Sequence, residues 1–177
     1  MIMILNSKDL IFQKLEDFIK KFYTNELLRG TIFFIGLGLL YLFATSFIEY
    51  FLWLKPTGRT FLFVLFILVQ LFLLVRFIAF PIFQLFKIKK GIDYTEASKI
   101  IGNHFTEVND KLTNFLQLSE DKNQSELLLA SINQKANALQ PIPFSNAIDF
   151  KKNKKFLPLA LIPLFFILFL MLSGQPK

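Results

Sequence analysis

Three long apolar runs constrain this chain more than any other feature. Thr31 to Leu54 carries a single charge, Glu49. Thr60 to Phe86 also carries one, Arg76, and Phe156 to Leu172 carries none. A helix rises about 1.5 Å per residue, and a bilayer core of about 30 Å takes about 20 residues. The first two runs are therefore long enough to cross with some tilt. The third is at the lower limit and takes in Ser173 and Gly174 to complete a crossing. A hydrophobic content of 54% and a mean hydropathy of +0.49 exceed what a soluble domain, at about 45–50% apolar, carries. The first run is no removable signal peptide: it is too long for such a segment, a charged stretch precedes it, and no small-x-small cleavage site follows.

Lys and Arg near the span ends set the orientation. Lys8, Lys14, Lys20, Lys21 and Arg29 precede the first run, whereas the KPTGR loop has two basic residues. Lys87, Lys89 and Lys90 follow the second run, and Lys151, Lys152, Lys154 and Lys155 precede the third. The basic sides face the cytoplasm, which predicts three crossings with the N-terminus inside and the C-terminus outside. In a bacterial inner membrane the C-terminus is then periplasmic. The lysine clusters at 87–90 and 151–155 sit flush against spans, so they read as contacts to anionic lipid and not to nucleic acid.

The expected fold is an all-α integral membrane protein with three transmembrane helices, an N-terminal amphipathic helix and a small cytoplasmic helical hairpin. Its segments are a cytoplasmic amphipathic helix at 1–30, spans at 31–54, 60–86 and 156–174, an outer loop at 55–59, the hairpin at 87–155, and an outer tail at 175–177. In the first segment Ser7 is the expected N-cap, and Ile11, Leu15, Phe18 and Phe22 share one face. The favoured site for that stripe is the lipid headgroup region; the competing one is a surface of the cytoplasmic domain. In the insert, Asp93 with Glu96 resembles a capping box. The apolar spacing from Ile101 to Phe115 predicts one helix over 94–118, or two with a break near Thr106. Ser119 to Gln124 reads as a turn, Ser125 caps a helix over 126–140, and Pro141 and Pro143 stop it. So short an insert builds little core alone, so the hairpin is expected to lean on the N-terminal helix, the membrane or a partner.

Chemistry is sparse. The absence of Cys and the single His remove disulfides, thiolate sites and multi-imidazole metal sites. No phosphate loop, triad ordering or metal spacing stands out, so no catalytic residue, metal or cofactor is expected. Glu49 and Arg76 are the ionisable groups inside spans, and such groups are functional candidates by default. Counted from the outer ends, their depths differ too much for a direct pair. Glu49 fits the outer aromatic belt with Tyr50 and Trp53, and Arg76 fits snorkelling to the inner face or an acidic group on a partner helix. His104 reads as a helix-end or surface residue. Pro81, Pro158 and Pro163 permit kinks. Gly36 and Gly38 could admit a close helix contact, although no small-xxx-small register is visible.

The stretches GIDYTEASKIIGNHFTEVNDKLTNFLQL (Gly91 to Leu118) and NQSELLLASINQKANALQPIPF (Asn123 to Phe144), with NELLRG, YFLWL, PTGRT and FKKNKK, carry a resemblance. On them the chain resembles the N-terminal region of large membrane proteins of flavobacteria and their relatives, a family classed as a domain of unknown function. The resemblance implies that a long extracytoplasmic part follows the third span. It implies no reaction and no catalytic residue.

The leading functional expectation is a non-enzymatic anchor and assembly subunit of a cell-envelope complex. In it the hairpin docks another membrane or envelope protein through Leu112, Phe115, Leu128 and Ile132. The alternative is a small oligomeric pore, holin-like, lined by Gln70, Thr45, Ser46, Glu49 and Arg76. A membrane-embedded enzyme is the least supported class, since paired acids, a Ser/His arrangement or metal ligands are missing.

Overall fold

The computed structural model describes residues 2–88, 90–121 and 125–173. Among these residues every regular element is helical. In chain order they are α1 (Ile2–Leu52), α2 (Pro56–Leu74), a π-helical turn (Val75–Ala79), α3 (Phe80–Leu85), α4 (Tyr94–His104), α5 (Asn109–Glu120) and α6 (Glu126–Leu139). Two 3₁₀ segments (Phe144–Ala147 and Phe150–Phe156) and α7 (Leu157–Ser173) complete the described residues. Two helices, Ser7–Leu52 and Pro56–Leu85, are long and apolar enough to cross a membrane. The residues form two compact units, Met1–Tyr23 with Lys87–Asp149, and Thr24–Phe86 with Phe150–Lys177.

The first unit is a small helical domain to which α1 contributes. Ile11, Leu15 and Phe18 from α1 are fully buried with Ala97 and Ile101 of α4, Leu112 and Phe115 of α5, and Ala136 and Leu139 of α6. The competing reading of the amphipathic stripe is therefore the observed one: it packs in a protein core, not among headgroups. Its lysines are also engaged. Lys14 Nζ donates to the Gln140 carbonyl and, at 3.1 Å, to that of Ile142. Lys21 Nζ donates to the Ser145 carbonyl at 2.8 Å, and Lys8 Nζ to that of Ser119 at 3.2 Å. The Lys8 and Lys14 contacts supply donors to carbonyls where α5 and α6 end and Pro141 follows, while the Ser145 carbonyl also accepts the Ile148 N–H at 3.3 Å.

Local signals place α4 to α6 well. The Asp93 carboxylate accepts the Glu96 N–H at 2.7 Å, and the Ser125 hydroxyl accepts the Leu128 N–H at 3.3 Å. Of the two alternatives for 94–118, the broken one is observed: α4 stops at His104 and α5 starts at Asn109. Two expectations need correction. Ser7 is not an N-cap, because α1 is already helical from Ile2. Ser119 and Glu120 belong to α5 and not to a turn, while Lys122 to Gln124 lie outside the described residues.

The second unit is built around α1. On the α2 side, Gly30 meets Phe77, Gly38 meets Gln70, Tyr41 stacks on Phe66, and Glu49 pairs with Arg59. Numbers fall on one helix as they rise on the other, so the two are antiparallel. On the α7 side, Phe33 meets Phe156, Gly36 meets Leu159, and Phe43 meets Phe166. Those numbers rise together at a constant offset, so α7 runs parallel to α1. At about 100° per residue Gly36 and Gly38 point to nearly opposite sides of α1. Each serves a different neighbour, which is why no single small-residue register shows in the sequence. The turn between α1 and α2 is also shorter than the expected 55–59 loop. Trp53 takes a left-handed φ of 45° just past α1, and Pro56 opens α2 at a position where its missing N–H costs nothing.

Candidate functional site

The four residues expected to dock a partner are brought together, but inward. Leu112 and Phe115 are fully buried, Ile132 is 4% exposed, and Leu128 is partly buried against the same cluster. Packing against Ile11, Leu15 and Phe18 of α1 occupies the face that a hairpin alone would have offered. As placed, these four side chains are domain core rather than an open docking face. The large apolar side chains that α6 leaves in solvent are Leu127, 84% exposed, and Leu129.

Glu49 and Arg76 are not neighbours. Glu49 Oε1 lies 2.9 Å from Nε of Arg59, in the first turns of α2, and both side chains are largely exposed. Arg76 sits in the π-helical turn, next to the residue that meets Gly30, with its guanidinium 5.9 Å from the Phe77 ring. Helix pairing therefore sets Arg76 level with Thr31, at the edge of the first apolar run. That level is far from Glu49, in keeping with the depth difference read from the sequence, and it lies toward the inner side expected for Arg76. Gln70, the other polar group of the second run, donates through Nε2 to the Gly38 carbonyl at 3.1 Å.

The basic clusters divide. Lys87 takes a left-handed φ of 57° just past α3 and reaches Glu16 at 3.1 Å; Lys90 is exposed, and Lys89 lies outside the described residues. Glu16 also accepts from the Tyr94 hydroxyl at 3.2 Å. The Lys87 ammonium and the Tyr94 hydroxyl hold the Glu16 carboxyl below its ordinary range. Burial and that same carboxylate push the Tyr94 phenol up. Burial lowers Lys14.

Lys151, Lys152, Lys154 and Lys155 ride on the 3₁₀ segment Phe150–Phe156 and are exposed, while Asn153 between them is buried. Its amide donates to Asn25 Oδ1 at 2.8 Å. The spacing F-x-x-N-x-x-F repeats every three residues, the period of a 3₁₀ helix, so one edge turns in and the lysine pairs turn out. That signal was available in the sequence and marks residues the charge count passed over. Phe33 contacts both Phe77 and Phe156, at ring separations of 5.7 and 5.0 Å. Arg29 stands over Phe33 and Phe156, and Lys155 over Phe156.

His104 is exposed, with its ring edge-on to Phe105. Among the described residues no group of three or more acidic, His or Cys side chains could hold a metal ion. An open cleft between α1 and α7, about 730 Å³ and lined by Phe43, Phe47, Pro163 and Phe166, is almost wholly apolar and offers dispersion contacts only. No family model, curated protein or solved structure matches the chain.

Proposed function

We propose that this chain is a non-enzymatic inner-membrane anchor and assembly subunit of a cell-envelope complex. It crosses three times, with the first unit in the cytoplasm and the α1–α2 turn outside. The observation that carries the reading is the direction of α7: an uncharged helix parallel to α1 and antiparallel to α2. A third crossing through the same layer requires that direction. The helices also carry large exposed apolar side chains, among them Phe61, Phe63, Phe72, Ile162 and Phe165, a surface suited to lipid. The cytoplasmic unit then works as a folded platform whose partner meets exposed groups such as Leu127 and Leu129. The pore reading draws less support, because Gln70 is used within the chain on Gly38 and Glu49 on Arg59.

The chain has no Cys, so single cysteines can be introduced without background. In intact spheroplasts a membrane-impermeant maleimide is expected to label Lys55→Cys and Gln175→Cys. Lys135→Cys is expected to react only after permeabilisation. Protection of Gln175→Cys until permeabilisation would overturn the third crossing. Mild-detergent purification then tests the role: stoichiometric partners support an assembly subunit, and a homogeneous homo-oligomer that conducts ions in liposomes replaces it with a pore.

A further inference from the structure

We propose that the end of the helical bundle where Phe33, Phe77 and Phe156 meet binds the phosphate of an anionic phospholipid. The inference rests on the reading that α1, α2 and α7 cross the membrane. Three helices each bring one ring to a single level, and each ring carries a cation. Arg29 lies 5.8 Å from the centre of Phe33 and 5.5 Å from that of Phe156, Arg76 lies 5.9 Å from Phe77, and Lys155 lies 4.9 Å from Phe156.

A cation within about 6 Å of a ring is held by its electron-rich face while its N–H donors stay available, and a guanidinium can grip a phosphate in two places. Within the second unit the charges at this end are mostly basic, although the acidic Asp149 immediately precedes the lysine-bearing segment. Arg29, Arg76, Lys151, Lys152, Lys154 and Lys155 gather at this end of the second unit, against Glu26. Glu26 touches Arg29 at 3.4 Å with both partners substantially exposed, a weak engagement that leaves most of the guanidinium donors to another anion. The level is that of Thr31, where the first apolar run starts, so a phosphate here would have its acyl chains running along the exposed faces of the helices. A phosphodiester with two chains matches both halves of that surface; a soluble anion matches only one. The Asn153–Asn25 hydrogen bond fixes the 3₁₀ segment on α1, which keeps Lys155 at this level.

The test is native mass spectrometry of the full chain in detergent, titrated with phosphatidylglycerol or phosphatidylcholine. Wild type is expected to retain phosphatidylglycerol in preference. The preference should fall roughly fivefold for each cation removed in Arg29→Gln, Arg76→Gln and their double variant. Lys155→Gln is a second variant, away from the helix contacts. Lys99→Gln/Lys111→Gln, of equal charge change in the first unit, should leave retention unchanged. Equal losses in both doubles, no headgroup preference, or displacement by millimolar inorganic phosphate would each overturn the site. Recovery of the chain from cells without detergent would instead overturn the membrane reading beneath it.

Discussion

The carbonyl oxygen of Leu159 lies against the α-carbon of Gly36, so closely that a Cβ on Gly36 would sit 2.8 Å from it. Pro163, four residues on, has no N–H to give that carbonyl. The arrangement recurs on the other side of α1: the Phe77 carbonyl, four residues before Pro81, faces Gly30, where a Cβ would come far inside contact distance. In each case a proline frees a carbonyl on one helix, and a glycine on α1 presents its Cα–H to it. Such contacts recur where helices approach closely and are worth about 0.5–1 kcal/mol each. The prolines thus act as packing positions with a defined counterpart.

Gly36→Val is therefore expected to destabilise the second unit by about 1–3 kcal/mol, because besides the Leu159 side chain it meets the Leu159 carbonyl, which is backbone and cannot swing away. Gly58→Ala is the comparison: its Cβ would meet only the Leu54 side chain at 3.3 Å, which can yield. Equilibrium unfolding in mixed micelles reads the difference. Coincident midpoints for the two variants would remove the glycine–carbonyl contact from the account of packing.

Leu112→Ala and Phe115→Ala should each cost about 2–5 kcal/mol by leaving a cavity in the first unit. Leu127→Ala, at an 84% exposed position, should stay within about 0.5 kcal/mol. Thermal melts of the detergent-solubilised chain check the order. If Leu112→Ala kept the wild-type melt while losing a partner, it would restore a docking role to that residue. If Leu127→Ala lost the partner at unchanged melt, the exposed face of α6 would be the contact.

Much of the fold was legible because local chemistry and tertiary packing agree. The 4-3-4 spacing from Ile11 to Phe22, the Asp93 and Ser125 caps and the long apolar runs all describe helices that exist. The errors came where partners are distant in sequence. Nothing in residues 7–28 says whether Ile11 and Phe18 face lipid or α4–α6; that is decided by residues far along the chain, from Tyr94 onward. Gly36 and Gly38 carry no visible register because their counterparts, Leu159 and Gln70, lie on different helices.

Glu16 gives a pH dependence of known sign. Lys87 and Tyr94 lower its pKa in the folded chain relative to about 4.3 for a free glutamate. The contribution is therefore fully present above about pH 4.3 and is lost as pH falls through the lowered folded value. The side chain is partly exposed, so the effect is small. Glu16→Gln should lower the melting temperature slightly at pH 7 and flatten its decline below pH 4. A wild-type and a Glu16→Gln curve of the same acid slope would show that the cluster does not sense protonation.

Asn153→Ala should loosen the lysine-bearing segment without unfolding the bundle. Seven residues is long for a 3₁₀ helix, and its i,i+3 hydrogen bonds are individually weak, so the segment depends on what anchors its buried edge. Removing the Asn153 amide leaves Asn25 Oδ1 without the donor that now sits at 2.8 Å, a loss of about 1–2 kcal/mol. Most of that loss falls on the segment, because the α1–α7 contacts at Gly36 and Phe43 are untouched. Trypsin cleavage after Lys151 to Lys155 should accelerate about tenfold while the melt moves by only a few degrees. Asn25→Ala should do the same, and the double variant should add little, since either change breaks the same bond. Fully additive cleavage rates would mean the two asparagines act separately and that other contacts hold the lysines in place.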